Sequence, residues 1–543
     1  MATITENVVV TTAARPAKVP KTKFRLKIMT EVAAVPIIAE ENVEYCGLDM
    51  SLAKQAIKLI GNNVLRCKKI LYIYWGRLWS VDIDKKKLQL LVIEKLLIFY
   101  KECFDKETQI LSNMLMKVGE TTDPQKKITD KVLKIIKDLK TDNKQKSILS
   151  QVILLLPDSE VEFDIVQPFY FVFNNVAFDM KARKEVIIKR EDYITQSARY
   201  DFIKPKPEDI TAMKQKLQEI LPNEDYRDCY ISVLRSGCTG VRLEKLIMAN
   251  GGGRNGKGLL SALMAIMLGD DYYYDGNALT LTDKIRAGAN PEIANMNKKR
   301  SILFKEPEAN ASLQLGMIRA LTGDDTINAR GLYSTDTKTR LQGTIILEVN
   351  GKPAINGKID ESAVERWVNV NFPNCFTDDP SLIDNITKFA QDRKYKTLEW
   401  QEQMRHALFQ ILLDCPYDTI HMPKRVRNET MDYLLDNDTL LKWFNEYYEI
   451  VKEETSVVTV AQMFATLYES DFYQCLSKKA KREEYTKKGL LQKIKDNIKL
   501  KLYYHDRKKI DGMEYYTFLS HCKKRQIETT FNNIDPATDE DDD

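Results

Sequence analysis

The run LEKLIMANGGGRNGKGLLSALMAIML, residues 243–268, constrains this chain more than any other part of it. An apolar stretch leads into a cluster of glycines, and an amphipathic stretch follows, which reads as strand, loop and helix. Gly251 and Gly256 stand five apart with Lys257 next, so the loop meets the spacing G-x-x-x-x-G-K. Glycines at those places let backbone N–H groups turn inward, and the helix that follows presents its positive end to an anion. Lys257 then reaches the terminal phosphates of a nucleotide as a point charge. Gly251, Gly252, Gly253, Arg254, Asn255, Gly256, Lys257 and Gly258 are the expected phosphate cradle. A glycine turn with a chance lysine is the bland alternative, disfavoured by the strand before and the helix after.

One position departs from the general pattern. Where a Ser or Thr would hold Mg²⁺, this chain has Gly258, and Ser261 lies nearly one helical turn further on. Metal binding is therefore expected from the strand KKRSILFKEPE (298–308), whose apolar core runs into Glu306 and Glu308. Carboxylates at a strand end beside a phosphate loop hold Mg²⁺ through water and polarise the attacking water; Glu306 is the expected metal residue. A third strand, GTIILEVNGKP (343–353), ends in Asn350, whose amide can bond a phosphate or a water without adding charge. Asn350-Gly351 as a simple turn fits the local sequence equally well.

Composition removes several competing chemistries. The 543 residues are 43% hydrophobic and 29% charged, a globular balance with room for three to four domains. Nine cysteines are scattered singly with no CxxC pair, which disfavours a disulfide framework or structural zinc and fits a reducing compartment. The four histidines, His406, His421, His505 and His521, all lie in the last quarter, so zinc hydrolase and Ser-His designs upstream are disfavoured. No apolar run reaches the ~18 to 20 residues that span a bilayer, and the opening residues lack a secretory pattern, so neither a membrane span nor export is expected.

The remaining chain reads as follows. Residues 1–50 form a basic arm, and DEDDD (539–543) closes an acidic tail over 531–543. LYIYWGRLWSVDID (71–84) reads as two strands around Gly76, KKLQLLVIEKLLIFYKECF as a helix, and FYFVFNNVAFDM (169–180) as strands about an Asn-Asn turn. Asp82 and Asp84 form a DxD pair, read as strand alternation in preference to a metal site. Towards the end, a basic helix precedes two aromatic-rich strands around Asp511-Gly512, a hairpin signal. Helix plus wing resembles a winged helix, with Lys487, Lys488, Lys493, Arg507, Lys508 and Lys509 as candidate phosphate contacts; a basic exterior on a packing module is the alternative.

Phosphate loop, acidic strand, asparagine strand and then an arginine, in that order, resemble a superfamily 3 helicase. More closely, the chain is similar to the poxvirus-type primase–helicase family of large DNA viruses, phages and plasmids. NGKG (255–258), GANPEIANMNKKRSILFKEPE (288–308), IRALTGDDTINARGLY (318–333), GTIILEVNGKPAI (343–355) and ESAVERWVNVNFP (361–373) carry the likeness. GRLWSVDID, VFNNVAFDM and EDYITQSARYDF extend it upstream, so it covers roughly residues 60 to 375, with a weaker match to a winged-helix tail.

The resemblance implies an α/β fold: an AAA+-like P-loop ATPase core over 226–380, a mixed helical and α+β helicase-associated domain over 51–225, and a helical, winged-helix-like region over 381–530. It implies ATP and Mg²⁺ as cofactors, and a ring of copies, expected to be a hexamer, acting on single-stranded and duplex DNA. Lys257, Glu306, Glu308 and Asn350 would act in cis, and Arg366 would serve the neighbouring copy. The family often has two arginines there; Glu365 stands in the first place, leaving Arg366 alone. Arg330, Lys338 and Arg340 in ARGLYSTDTKTRLQG (329–343) would track a single strand, with Tyr333 available for stacking and Lys338 the expected tip contact. Only about 60 residues precede the first matching segment, too few for a primase domain, so a helicase without primase activity is expected, with any primase on another chain or lost from this sequence, and with primase and polymerase on separate chains as candidate partners. The implied setting is intracellular and reducing, in host cytoplasm or nucleus where viral DNA is replicated. A small-molecule kinase and a DNA-binding assembly or initiator ATPase that uses ATP as a switch are the two competing readings.

Overall fold

The computed structural model describes residues 45–116, 122–283, 290–308, 310–323, 326–328 and 338–525. Nearly all of the basic arm, and the acidic tail, lie outside these residues. The chain divides into two compact units, one of Met1–Gly61 with Leu88–Leu156, the other of Asn62–Lys87 with Pro157–Asp543. The stretch 51–225 contributes to both.

In the first unit, helix Asp49–Ile60 packs along helix Asp142–Leu155. Leu52, Ala53, Ala56, Ile148 and Val152 are buried at helical spacing, and Lys144 Nζ bonds Asp49 Oδ1 at 2.6 Å.

The second unit is organised by five parallel strands. They are β1 (Leu246–Asn250), β2 (Tyr273–Gly276), β3 (Ser301–Lys305), β4 (Thr344–Val349) and β5 (Trp367–Asn371), in the spatial order β5-β1-β4-β3-β2. Parallel strands covered on both faces are expected to be apolar throughout, and all six residues of β4 are buried. On one face Ile247, Ala249, Leu303, Ile346 and Val368 pack with helix α1 (Lys257–Leu268) and helix α2 (Leu398–Asp414). On the other, Leu246, Met248, Ile302, Phe304, Ile345, Leu347 and Trp367 meet Ile318, Leu321 and Tyr433.

Two small antiparallel sheets precede this core in the same unit. Ile70–Trp75 and Leu78–Val81 turn at Gly76 (φ 68°), and Tyr170–Val172 pairs with Ala177–Asp179 about Asn174-Asn175, as the sequence predicts. Asp82 and Asp84 accept from the N–H groups of Lys87 and Lys86, so the DxD pair caps the next helix, Lys86–Leu115.

At the far end, helix α3 (Lys487–Asp496) joins a three-stranded antiparallel sheet of Val457–Thr459, Met513–Ser520 and Tyr504–Ile510. Asp511 (φ 48°) and Gly512 (φ 81°) are both left-handed, as a two-residue hairpin turn requires. Trp443, Phe444, Met463, Leu490 and Leu519 form the core of this module. None of the nine cysteines is in a disulfide. No helix among the described residues is long and apolar enough to cross a membrane.

Candidate active site

β1 lies inside the sheet, next to the edge strand β5 on one side and to β4 on the other. The chain leaves it towards β2 at one edge and ends at β5 on the opposite edge, so a crevice opens beyond the carboxyl end of β1, where open α/β sheets bind ligands. Residues 251–256 cross this crevice and α1 starts at Lys257.

The loop is shaped by contacts that only glycine permits. A Cβ on Gly251 would stand 2.4 Å from both Asn255 Nδ2 and the Phe372 carbonyl oxygen. Gly256 is left-handed (φ 86°), and a Cβ there would stand 2.6 Å from Ile220 Cγ1. Gly252, Gly253 and Gly258 face open space. Lys257 Nζ donates to the Gly251 carbonyl at 2.7 Å, closing the loop on itself. A cavity of about 700 Å³ adjoins the loop, lined by Gly253 to Gly258 and by Lys305, Glu306, Glu348 and Asn350 from the ends of β3 and β4.

Glu306 is left-handed (φ 39°), an uncommon conformation for a residue with a side chain and one that strained functional positions adopt. Asn350 Nδ2 donates to Glu306 Oε1 at 2.5 Å, so the acidic and the asparagine residue meet across neighbouring strands. Glu308 is exposed and borders an adjoining groove with Pro307 and Gly351, outside this cavity; the proline turn carries it away.

Glu348 was not singled out from the sequence. Its carboxyl is buried, and burial, opposed by a hydrogen bond from Ser261 and by the charges of Lys305 and Lys257, pushes its pKa up. Burial likewise pushes the Lys257 ammonium down, against the nearby Glu348 and Glu306 carboxylates. A carboxylate interrupting the apolar run TIILEV was the available signal. No local signal exists for Lys216, Phe376 and Tyr395, which close the cavity's far side; Lys216 Nζ lies 4.0 Å from the Tyr395 ring centre and 5.3 Å from that of Phe376.

Arg366 sits at the other end of the sheet. It precedes β5, its carbonyl accepts from Leu246 N at the start of β1, and its Nη1 donates to the Ser362 carbonyl at 3.1 Å. Its Nε is buried with no hydrogen-bond partner. The five-residue length of β1, roughly 16 Å at the usual rise, separates this end from the chain's own phosphate loop.

The expected DNA contacts are placed unevenly. Thr326–Asn328 pairs antiparallel with Lys338–Arg340. Arg330 and Tyr333 lie outside the described residues. Lys338 pairs in backbone with Asn328, which puts it in a strand and not at a loop tip as the sequence reading expected. Arg340 N donates to Asn297 and its guanidinium lies 3.7 Å from Glu162. Lys487 and Lys488 are exposed at the start of α3. Arg507 and Lys508 are held by Glu514 and Glu454, which offsets their charge.

No protein-family model matches the chain. A protein of Acanthamoeba polyphaga mimivirus, provisionally named a helicase, is 24% identical over 358 residues, covering 63% of this chain and 37% of that one. The protein named Primase D5 of Fowlpox virus is 27% identical over 248 residues, covering 43% and 31%. The Vaccinia virus protein named Uncoating factor OPG117 is 29% identical over 185 residues, covering 32% and 23%. The chain thus spans between about a quarter and two fifths of the length of these relatives. Among solved structures, the C-terminal region of NrS-1 overlaps 82% of this chain and 90% of its own length, with a TM-score of 0.40 and 13% identity. The resemblance read from the motif order, to the poxvirus-type helicases of large DNA viruses, is borne out by the viral relatives.

Proposed function

We propose that this chain, similar to viral proteins named as a helicase and a primase, works in DNA replication as a superfamily 3 helicase, hydrolysing ATP between neighbouring copies in a hexameric ring and unwinding duplex DNA. The observation that carries the reading is the convergence of Lys257, Glu306 and Asn350 on one cavity, with Arg366 held at the opposite end of the same sheet.

The residues present fit a nucleotide and its Mg²⁺. The loop 251–256 and the start of α1 offer N–H groups to the phosphates, and Lys257 exchanges its bond to Gly251 for one to a phosphate oxygen. An arriving phosphate anion also restores the charge that burial disfavours on Lys257. Among the described residues no three or more His, Cys, Asp or Glu gather to form a metal cage. That suits Mg²⁺ carried largely by phosphates and water, with one or two carboxylates. Bound there, Mg²⁺ supplies neutralisation of phosphate charge.

Asn350 holds one oxygen of Glu306 and leaves the other to orient a water. As the water oxygen bonds to the γ-phosphorus, the bridge to the β-phosphate breaks, releasing ADP and phosphate with a proton passing to solvent. Arg366, out of reach of its own loop, stabilises the growing charge at the neighbour's site. The paired segments Thr326–Asn328 and Lys338–Arg340, with the exposed Lys487 and Lys488, are the elements suited to DNA phosphates.

The test is ATP hydrolysis with and without single-stranded DNA for wild type, Lys257→Ala, Arg366→Ala and a 1:1 mixture of the two variants. Each variant alone loses activity and the mixture regains part of it, because intact sites form at mixed interfaces. Normal activity in Arg366→Ala with no DNA stimulation refutes the ring motor. A switch ATPase that assembles on DNA is the second reading, favoured by Gly258; it binds DNA without hydrolysis-dependent strand separation.

A further inference from the structure

The Mg²⁺-ordering position at the start of α1 carries no side chain. Gly258 stands where the general phosphate loop has a hydroxyl, and a Cβ built there meets nothing within 4 Å. Across the same cavity stands a side chain that packing alone does not account for. Successive residues of a strand face opposite ways. Ile346, Glu348 and Asn350 therefore share the face covered by α1, where Ile346 joins Leu260, Leu263 and Met264 in the core. Glu348 enters the crevice from β4, below the first turn of α1, and is only 6% exposed. Its Oε1 is fully buried and has no hydrogen-bond partner. Burying a carboxylate oxygen without a partner carries a desolvation penalty, where an apolar residue at the same place would be stabilising. The charges nearest to it, Lys257 and Lys305, line the nucleotide cavity as well.

We propose that Glu348 is the carboxylate that orders the nucleotide's divalent cation in this chain, replacing from the neighbouring strand the hydroxyl that α1 lacks at Gly258. The orphaned oxygen is the group the cation, or a water bound to it, satisfies. Glu306 and Asn350 are thereby left to the attacking water. The proposal rests on the ATP-site reading above, and its test separates the two.

The measurement is equilibrium binding of a fluorescent N-methylanthraniloyl ATP, in Mg²⁺ and in EDTA, to the full chain and to Glu348→Gln, Gly258→Ser, their combination and Lys257→Ala. In EDTA, Glu348→Gln binds as well as wild type or better, which also shows that the loop is intact. In Mg²⁺, it loses at least tenfold of the tightening that wild type gains. Adding Gly258→Ser restores part of that gain, since the serine enters open space. Equal tightening by Mg²⁺ in wild type and Glu348→Gln overturns the proposal. So does uniformly tighter binding in both media, which would make Glu348 only a counter-charge for Lys257. Undiminished binding in Lys257→Ala would instead overturn the ATP-site reading itself.

Discussion

Gly256→Ala tests whether the loop geometry is imposed by its surroundings. Two separate costs meet at this position. Its φ of 86° and ψ of −4° lie in the left-handed region, which costs a residue with a Cβ about 1–2 kcal/mol. The new methyl would also stand 2.6 Å from Ile220 Cγ1 and 2.9 Å from its Cδ1. Ile220 is fully buried and cannot swing into solvent, so overpacking adds about 1–3 kcal/mol. The sum is roughly 2–5 kcal/mol. Ile220→Ala alone removes buried methyl groups and costs about 2–5 kcal/mol, yet it clears the space the alanine at 256 needs. In that background Gly256→Ala should cost only its backbone share of about 1–2 kcal/mol. A double-mutant cycle by urea denaturation, followed through tryptophan fluorescence, reads the difference as a favourable coupling of about 1–3 kcal/mol. Equal cost of Gly256→Ala in both backgrounds would refute the clash and leave only the dihedral argument.

Two further outcomes follow from the geometry. His406 is buried against Tyr200 and Phe202, and burial, followed by the charge of Arg405, lowers its pKa to about 4. The fold thus holds the ring neutral while the unfolded chain protonates near 6.5. Its stabilising contribution is present above pH ~6.5 and is lost as pH falls towards 4, by up to ~3 kcal/mol; His406→Phe should flatten the melting temperature across that window. In the C-terminal module, Lys487→Ala with Lys488→Ala should weaken duplex binding and reduce the slope of log affinity against log salt by about 2. Arg507→Ala combined with Lys508→Ala should do less, because Glu514 and Glu454 already offset those charges; equal slopes for the two double variants would remove α3 as a phosphate reader.

Legibility in the sequence followed the range of the interactions. The loop was readable because glycine spacing and a following lysine are local requirements. The Asp511-Gly512 turn and the Gly76 hairpin were readable for the same reason. Asn350 remained ambiguous in sequence, since a turn and a site residue look alike there; its bond to Glu306 comes from another strand. Glu308 looked equivalent to Glu306 in the string EPE, but the strand ends at Lys305, and only Glu306, directly after it, reaches the cavity before Pro307 turns the chain away. Lys338 appeared to be in a loop because a three-residue ladder carries too little apolar pattern to register. Lys216, Phe376 and Tyr395 reach one cavity from three separate segments, and no periodicity encodes that meeting. Arg366 was readable only by family likeness, because its distance from the loop is a property of the sheet.

The interior position of β1, paired on both sides, sets a timetable. Leu246 pairs with Ile345 on one side and Trp367 on the other, both long after it in the chain. During synthesis at ~5–20 residues per second, an apolar strand with both edges bare waits roughly 6 to 25 s for its second neighbour. Through that interval β1 is a template for the wrong partner, including the same strand on an adjacent nascent chain. The phosphate loop follows directly on it, and Gly251 is held by the Val349 carbonyl and packed on Phe372, both of which come later in the chain. Completion of the nucleotide cavity is therefore among the last events of folding, and chains halted before residue 371 should be captured by chaperones or aggregate.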